Sequence, residues 1–210
     1  MMRSPLQDLL AKSAELHNHL CPRQVLGVRM GMLAGQLFPL ELPQEGKRLF
    51  AFVETDGCFS DGVAVASGCW LGHRTMRLMD YGRVAVTFVD TQTEQAVRIW
   101  PHPLARINAR DCEPDARSRW HAQLEAYQTL PDDQLLCWQP VALNVSMQQI
   151  ISRPGLRVNC ACCGEEILNE REVISGSGDV LCVACAGEAY YRPLDGDPQA
   201  LLLATAHAAP

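Results

Sequence analysis

No apolar run in this 210-residue chain approaches the roughly 20 residues that a membrane helix needs. The opening Met1-Met2-Arg3-Ser4-Pro5-Leu6-Gln7-Asp8 lacks the apolar segment of a secretory signal, so a soluble, cytoplasmic protein with no membrane contact is expected. Positive charge is also short. Against 24 Asp and Glu there are 18 Lys and Arg, a formal charge of −6, which offers no electrostatic footprint for a phosphate backbone and makes nucleic acid a disfavoured partner. A glycine-rich phosphate-cradling motif after a strand is missing, so nucleotide dependence is unsupported. Internal repeats are absent too. The 48% hydrophobic and 20% charged residues are those of an ordinary globular chain, which excludes disorder throughout. At roughly 150 residues per domain, the length suits one core domain with a small appendage.

What the chain has in abundance is cysteine, ten in all. In a reducing cytosol these are better read as ligands or reactive thiols than as disulfides. Cys160, Cys162, Cys163, Cys182 and Cys185 crowd into one stretch, while the other five are spread over the first 137 residues. The expected organisation is therefore a core domain over residues 1–152, a finger over 153–192 and a tail over 193–210, with the boundary at Ser152-Arg153-Pro154-Gly155 and Leu201-Leu202-Leu203 able to dock.

Ser4 followed by Pro5 and Gln7 reads as a helix start, and Leu6, Leu9, Leu10 and Leu16 supply an apolar face as far as about His17 or His19. Pro22 biases Cys21 away from the helical region, so Cys21 should sit at a bend. A second helix, about 23–38, carries Leu26, Met30, Leu33 and Leu37 on one side and Gly27, Gly31 and Gly35 on another. Each glycine costs helix stability by about 1 kcal/mol, so three in register predict a close-packed neighbour, inferred to be the small-residue helix of Gly62 to Gly68 begun at Ser60. Strands are expected at 49–54, 84–89, 95–100 and 135–145, the middle pair forming an antiparallel hairpin, with a helix over 114–127 bearing Trp120, Leu124 and Tyr127 on one face. Helices and strands arrive in blocks, so the fold class is α+β: an antiparallel-rich sheet with packed helices and a small C-terminal zinc finger.

Pairing Cys160 with Cys163 and Cys182 with Cys185 gives two C-x2-C units at the separation of a four-thiolate zinc site. Gly164 suits the tight turn after the first pair, and the Ala-Gly-Glu-Ala-Tyr-Tyr segment after the second suggests a helix, an arrangement similar to a treble clef. Iron is the minor rival for four thiolates. Cys162 is a fifth sulfur that could replace Cys160 or Cys163 or stay free, and spacing favours a free thiol. From Arg153 to Arg192 four arginines and no lysine face six acids, a net of −2, so this finger suits bracing or protein contact better than DNA.

The second constellation is His17-Asn18-His19-Leu20-Cys21-Pro22 together with Cys58-Phe59-Ser60-Asp61-Gly62. His17, His19, Cys21 and Cys58 could converge on one metal. In an extended segment His19 and Cys21 face the same way, and in a continued helix His17 and Cys21 do. A thiol at a helix start such as Cys58 is expected to have a lowered pKa, and Asp61 follows in the same turn. Cys69, Cys112 and Cys137 read as ordinary core or surface residues.

These residues, with Gly27, Gly68-Cys69-Trp70-Leu71-Gly72 and Asp80-Tyr81-Gly82-Arg83 leading into a strand, resemble the formylmethanofuran dehydrogenase FmdE-like family over about residues 10–90 and again 158–191. The resemblance implies an α+β core, a homodimer and an optional C-terminal treble-clef zinc finger. It also implies association with a molybdenum or tungsten oxidoreductase complex. Asn18 and Arg23 stand where the family pattern has glycine, and Gly72-His73-Arg74 replaces its Gly-Lys-Gly-like segment.

Three functions follow in order of expectation. The first is a metal-binding accessory protein, with Zn2+ in the finger and a second transition metal (Zn, Ni or Fe) on His17, His19, Cys21 and Cys58. The second is an enzyme using Cys21 or Cys58 as nucleophile, or a metal-bound water, with His19 or Asp61 as acid or base. The third is an interaction or regulatory module working through the finger.

Overall fold

In the computed structural model, residues 5–151 and 155–194 are described. The expectations placed on Ser4, on Ser152 to Pro154 and on the tail from 195 onward, including Leu201 to Leu203, lie outside them. The fold is α+β, and the chain divides into two compact units, Met1–Ile151 and Ser152–Pro210.

The first unit opens with helices α1 (Pro5–His17) and α2 (Pro22–Leu37). The break between them falls at Cys21, which is extended at φ −129° and ψ 160°, as the proline after it requires. Strand β1 (Leu49–Val53), helix α3 (Cys58–Ser67) and strand β2 (Met76–Leu78) follow as one parallel crossover unit. Then come β3 (Val86–Asp90), β4 (Ala96–Pro101), helices α4 (Ala105–Cys112), α5 (Arg119–Thr129) and α6 (Asp132–Leu135), strand β5 (Leu136–Val141) and the turn of helix α7 (Met147–Ile150). The sheet runs β2-β1-β3-β4-β5, antiparallel except for the β1–β2 pair.

Alternation along the strands sends Leu49, Ala51, Val53, Phe88 and Ile99 into a core with α1, α2, α3 and α5. Phe50, Phe52, Val89 and Ala96 form a second cluster with Met147, flanked by Leu143 and Ile150. Both faces of β1 are thus covered, so all five of its residues are buried.

The glycine register finds its partner. A Cβ on Gly27 would lie 2.3 Å from the Phe59 carbonyl oxygen, and one on Gly62 would lie 2.4 Å from that of Gln24. Gly31 meets Ala66, whereas Gly35 faces Leu40 and Leu42 instead of α3. Helix α3 begins at Cys58, two residues before the expected start. Gly57, at φ 75°, turns the chain into the helix, and the Ser60 hydroxyl donates to the Gly57 carbonyl at 2.7 Å instead of capping.

Other expectations are corrected. Leu16 is exposed at the end of α1. Helix α4 carries no apolar stripe, since only Ala105 and Ala109 are buried, which is why periodicity misses it. The helix expected from Pro114 starts at Arg119, because the Ser118 hydroxyl accepts from the His121 N–H. Strand β2 is too short for a period-2 signal.

The second unit has two small hairpins, β6–β7 (Arg157–Asn159, Glu166–Leu168) and β8–β9 (Val173–Ile174, Val180–Leu181), followed by one wide helical turn, Ala184–Glu188. The longer helix expected through Tyr191 stops there, since Gly187 takes φ 107° and Ala189 is extended.

Candidate metal centre and thiol cleft

The first C-x2-C pair sits in the turn after β6. The Cys160 N–H donates to the Glu165 carbonyl at 2.9 Å and the Gly164 N–H to the Cys160 carbonyl at 2.9 Å, with Gly164 at φ 78° where a side chain would strain the turn. The second pair starts at the end of β9, and the Ala161 N–H donates to the Val180 carbonyl at 2.8 Å, tying the first turn to that strand. The sulfurs of Cys160, Cys163, Cys182 and Cys185 all come within 4.8 Å of one another, close enough to hold one metal ion. Backbone N–H groups point at them: Cys182 N–H lies 3.3 Å from Cys160 Sγ, and Cys185 N–H 3.4 Å from Cys182 Sγ. Such N–H groups, those of Cys163 and then Cys182, hold the Cys160 thiol down to about 6. Neighbouring sulfurs, Cys182 first, push Cys185 up. A set of this kind sheds protons when a cation arrives. Cys162 is exposed and stands outside the four.

In the first unit, the buried Gln24 side chain fixes the bend before α2. Its amide donates to the Ser13 carbonyl at 2.8 Å and hydroxyl at 3.1 Å, and its oxygen accepts from the Cys21 N–H at 2.8 Å. Cys21 is thereby buried beside Cys58, the first residue of α3. The Cys58 thiol is raised, by burial first and then by Cys21, so the helix-start lowering expected from its position is outweighed.

His17 Nε2 lies 2.5 Å from Asp61 Oδ2, joining the end of α1 to the first turn of α3. The His19 ring bonds the His17 carbonyl at 2.9 Å, and the two imidazole centroids are 5.8 Å apart. Asn18 takes φ 58°, a left-handed conformation that asparagine tolerates. Helix α1 ends at His17, which removes the continued-helix alternative. Among the described residues the four C-terminal sulfurs are the group drawn within 4.8 Å; in the first unit Cys21 pairs with Cys58 and His17 with Asp61, while His19 bonds the His17 carbonyl.

Cys21 and Cys58 open into a cleft of about 750 Å³ that also includes Arg23, His102, Arg106 and Trp120. Its far rim is positioned by buried Glu54, whose carboxylate accepts from Arg98 at 2.6 and 2.9 Å and from Arg83 at 2.7 Å, Arg83 lying between the cleft residues Gly82 and Val84. Burial alone would raise the Glu54 carboxyl, but the two guanidiniums, Arg98 foremost, hold it below its usual range. His102 and Arg106 carried no motif in the sequence, since each arrives alone on a loop or a polar helix. Trp120 was expected on the apolar face of its helix, yet it stands 44% exposed at the cleft while Tyr127 is buried.

More than half of the chain, residues 16–137, matches the family described as FmdE, molybdenum formylmethanofuran dehydrogenase operon. Over 101 residues the chain is 37% identical to a protein of Archaeoglobus fulgidus named probable S-adenosyl-L-methionine-binding protein, a stretch that is 47% of this chain and 28% of that protein. It also shares its fold with the crystal structure of a tungsten formylmethanofuran dehydrogenase FmdE-like protein from Syntrophus aciditrophicus, with TM-score 0.56, 21% identity, and coverage of 89% of this chain and 95% of that one. No helix among the described residues is long and apolar enough to cross a membrane.

Proposed function

The chain belongs to the FmdE family, and from that premise we propose that it is a metal-binding accessory protein with two sites. The C-terminal unit takes a structural Zn2+ on Cys160, Cys163, Cys182 and Cys185 as a treble-clef finger. The observation that carries the reading is the gathering of those four sulfurs. Four thiolates with no open position suit a closed, tetrahedral structural site, and the N–H groups aimed at the sulfurs stabilise their negative charge. Zinc there supplies folding energy and no reaction step.

The core site uses His17, His19, Cys21 and Cys58 to take a transition metal, Zn, Ni or Fe, after the side chains close on it. The burial of Cys21 beside Cys58 supports this, because two adjoining thiols form the soft half of a mixed His/Cys donor set. The protein works in the cytoplasm as a homodimer, serving a molybdenum or tungsten oxidoreductase complex. One observation favours a second reading as a thiol enzyme: the short His17–Asp61 contact resembles an acid–base pair, with Cys21 as nucleophile and Asp61 orienting the imidazole.

Metal analysis of anaerobically purified protein tests the proposal. Two metals per chain are expected, one lost in C182S/C185S and the other in C21S/C58S. A single metal that vanishes in C182S/C185S and is untouched by C21S/C58S, even after reconstitution with Zn, Ni and Fe, sinks the core metal site and promotes the thiol reading.

A further inference from the structure

Nearly every described arginine of the first unit has a partner. Arg29, Arg48, Arg83, Arg98 and Arg110 pair with carboxylates, Arg117 meets His121, and Arg77 bonds carbonyls. Arg74 is engaged as well. Arg23, Arg106 and Arg119 have no such hydrogen bond or carboxylate partner, Arg106 interacting only with the Tyr127 phenol, and they line two adjoining hollows. Arg23 and Arg106 line the thiol cleft, while Arg106 and Arg119 line an adjoining hollow of about 430 Å³ together with Arg110. Arg110 is engaged only by its exposed neighbour Asp111 at 3.4 Å. The two hollows share Arg106 and Gln123, and no Asp or Glu lines either one. In a chain of net charge −6, four arginines lining two adjoining hollows without a carboxylate in their walls suit an anion.

We propose that the two hollows together bind a small organic phosphate ester, its phosphate held by Arg106, Arg110 and Arg119 and its body lying along Trp120 toward Cys21 and Cys58. Arg106 and Arg110 stand one turn apart on α4, and Arg119 opens α5, so three guanidinium-bearing side chains line one hollow. A phosphate monoester, dianionic with three free oxygens, uses three such forks more fully than a carboxylate does. The larger cleft supplies the rest: exposed Trp120 offers a flat face, and Leu26, Pro22 and Val84 add apolar wall. The limited volume of the hollows and the acidic chain favour a small molecule over nucleic acid. The proposal names the ligand class for the core cleft assigned above, and it holds whether or not the thiols carry metal.

The test uses full-length 15N-labelled protein at constant ionic strength, reading the Trp120 indole signal (assigned with W120F) during titration with inorganic phosphate, phenyl phosphate, benzoate and phenol. Phosphate and phenyl phosphate should both saturate, phenyl phosphate the tighter, with benzoate weaker and phenol silent. R106Q/R119Q should weaken phenyl phosphate by about tenfold or more, whereas R171Q in the C-terminal unit should change nothing. Shifts that follow ionic strength without saturating, survive R106Q/R119Q, or favour benzoate would overturn the assignment. Tighter binding of a short RNA than of phenyl phosphate would overturn it too. Metal content measured on the same samples separates the two readings, since R106Q/R119Q should lose the ester and keep its metal.

Discussion

The two units of this chain solve the same problem by different means. In the first, helices α2 and α3 approach until backbone meets backbone at Gly27 and Gly62, the sheet is covered on both faces, and buried polar groups such as Gln24 and Glu54 are fully bonded. In the second, strands are two or three residues long and only Cys160 and Ile167 among the described residues are buried. Burial at about 25 cal/mol per Å² can order the first and cannot order the second. Cysteine shows the same division. Cys69 in the core is pushed up to about 11 by burial and serves as packing, while Cys160 is held down near 6 by backbone N–H groups and is suited to bind a cation.

Removing metal should break the contrast most strongly. Structural zinc is worth about 10 kcal/mol or more to a unit of this kind, so a chelator should unfold the C-terminal unit alone. Mass spectrometry after alkylation should find Cys160, Cys162, Cys163, Cys182 and Cys185 labelled promptly, with Cys69 protected. Labelling of Cys69 at the same rate would mean that the units unfold as one.

The core has its own point of failure. Gly62→Ala would place a methyl 2.4 Å from the Gln24 carbonyl oxygen, and neither helix backbone can yield cheaply, so a loss of about 3 kcal/mol is expected in urea melts. The metal content of the C-terminal unit should not change. Gly72→Ala, with open space at its Cβ, is the control and should cost little.

How far the sequence revealed all this differs between the units for the same reason. Cysteine spacing is local chemistry, so the four-sulfur cluster was legible from Cys160, Cys163, Cys182 and Cys185 alone. The α2–α3 contact was legible because three glycines in helical register weaken a helix unless a neighbour packs against them, although Gly35 proved to face a loop. The cleft was half legible. Cys21 and Cys58 stood in motifs, but Arg106 lies on a helix without an apolar stripe and Trp120 read as part of its helix's apolar face, so tertiary packing alone brings them to the thiols. The lowered Cys58 pKa read from a helix start failed because burial first, and then Cys21 beside it, raise the thiol, and the sequence shows neither.

The finest distinction between the units lies in acid. Glu54 is buried between Arg98 and Arg83, and Glu54→Gln would leave both guanidiniums without a charged partner, a cost of about 2 kcal/mol in the core. Its folded pKa lies below the reference 4.5 and that of Asp90, bonded by Arg48, below 3.8. Each contribution is therefore complete above the unfolded value and fades as pH falls through the folded one. Between neutral pH and about 5 the core should keep its stability, because both carboxylates stay ionised there in either state. The C-terminal unit should weaken in that same window, since protons compete with metal for four thiolates. Stability profiles of the two units recorded across that window should diverge in the wild type, and Glu54→Gln should flatten the core's decline below pH 4.5 without moving the release of metal. Parallel profiles would show that the cluster of sulfurs is not what holds the second unit together.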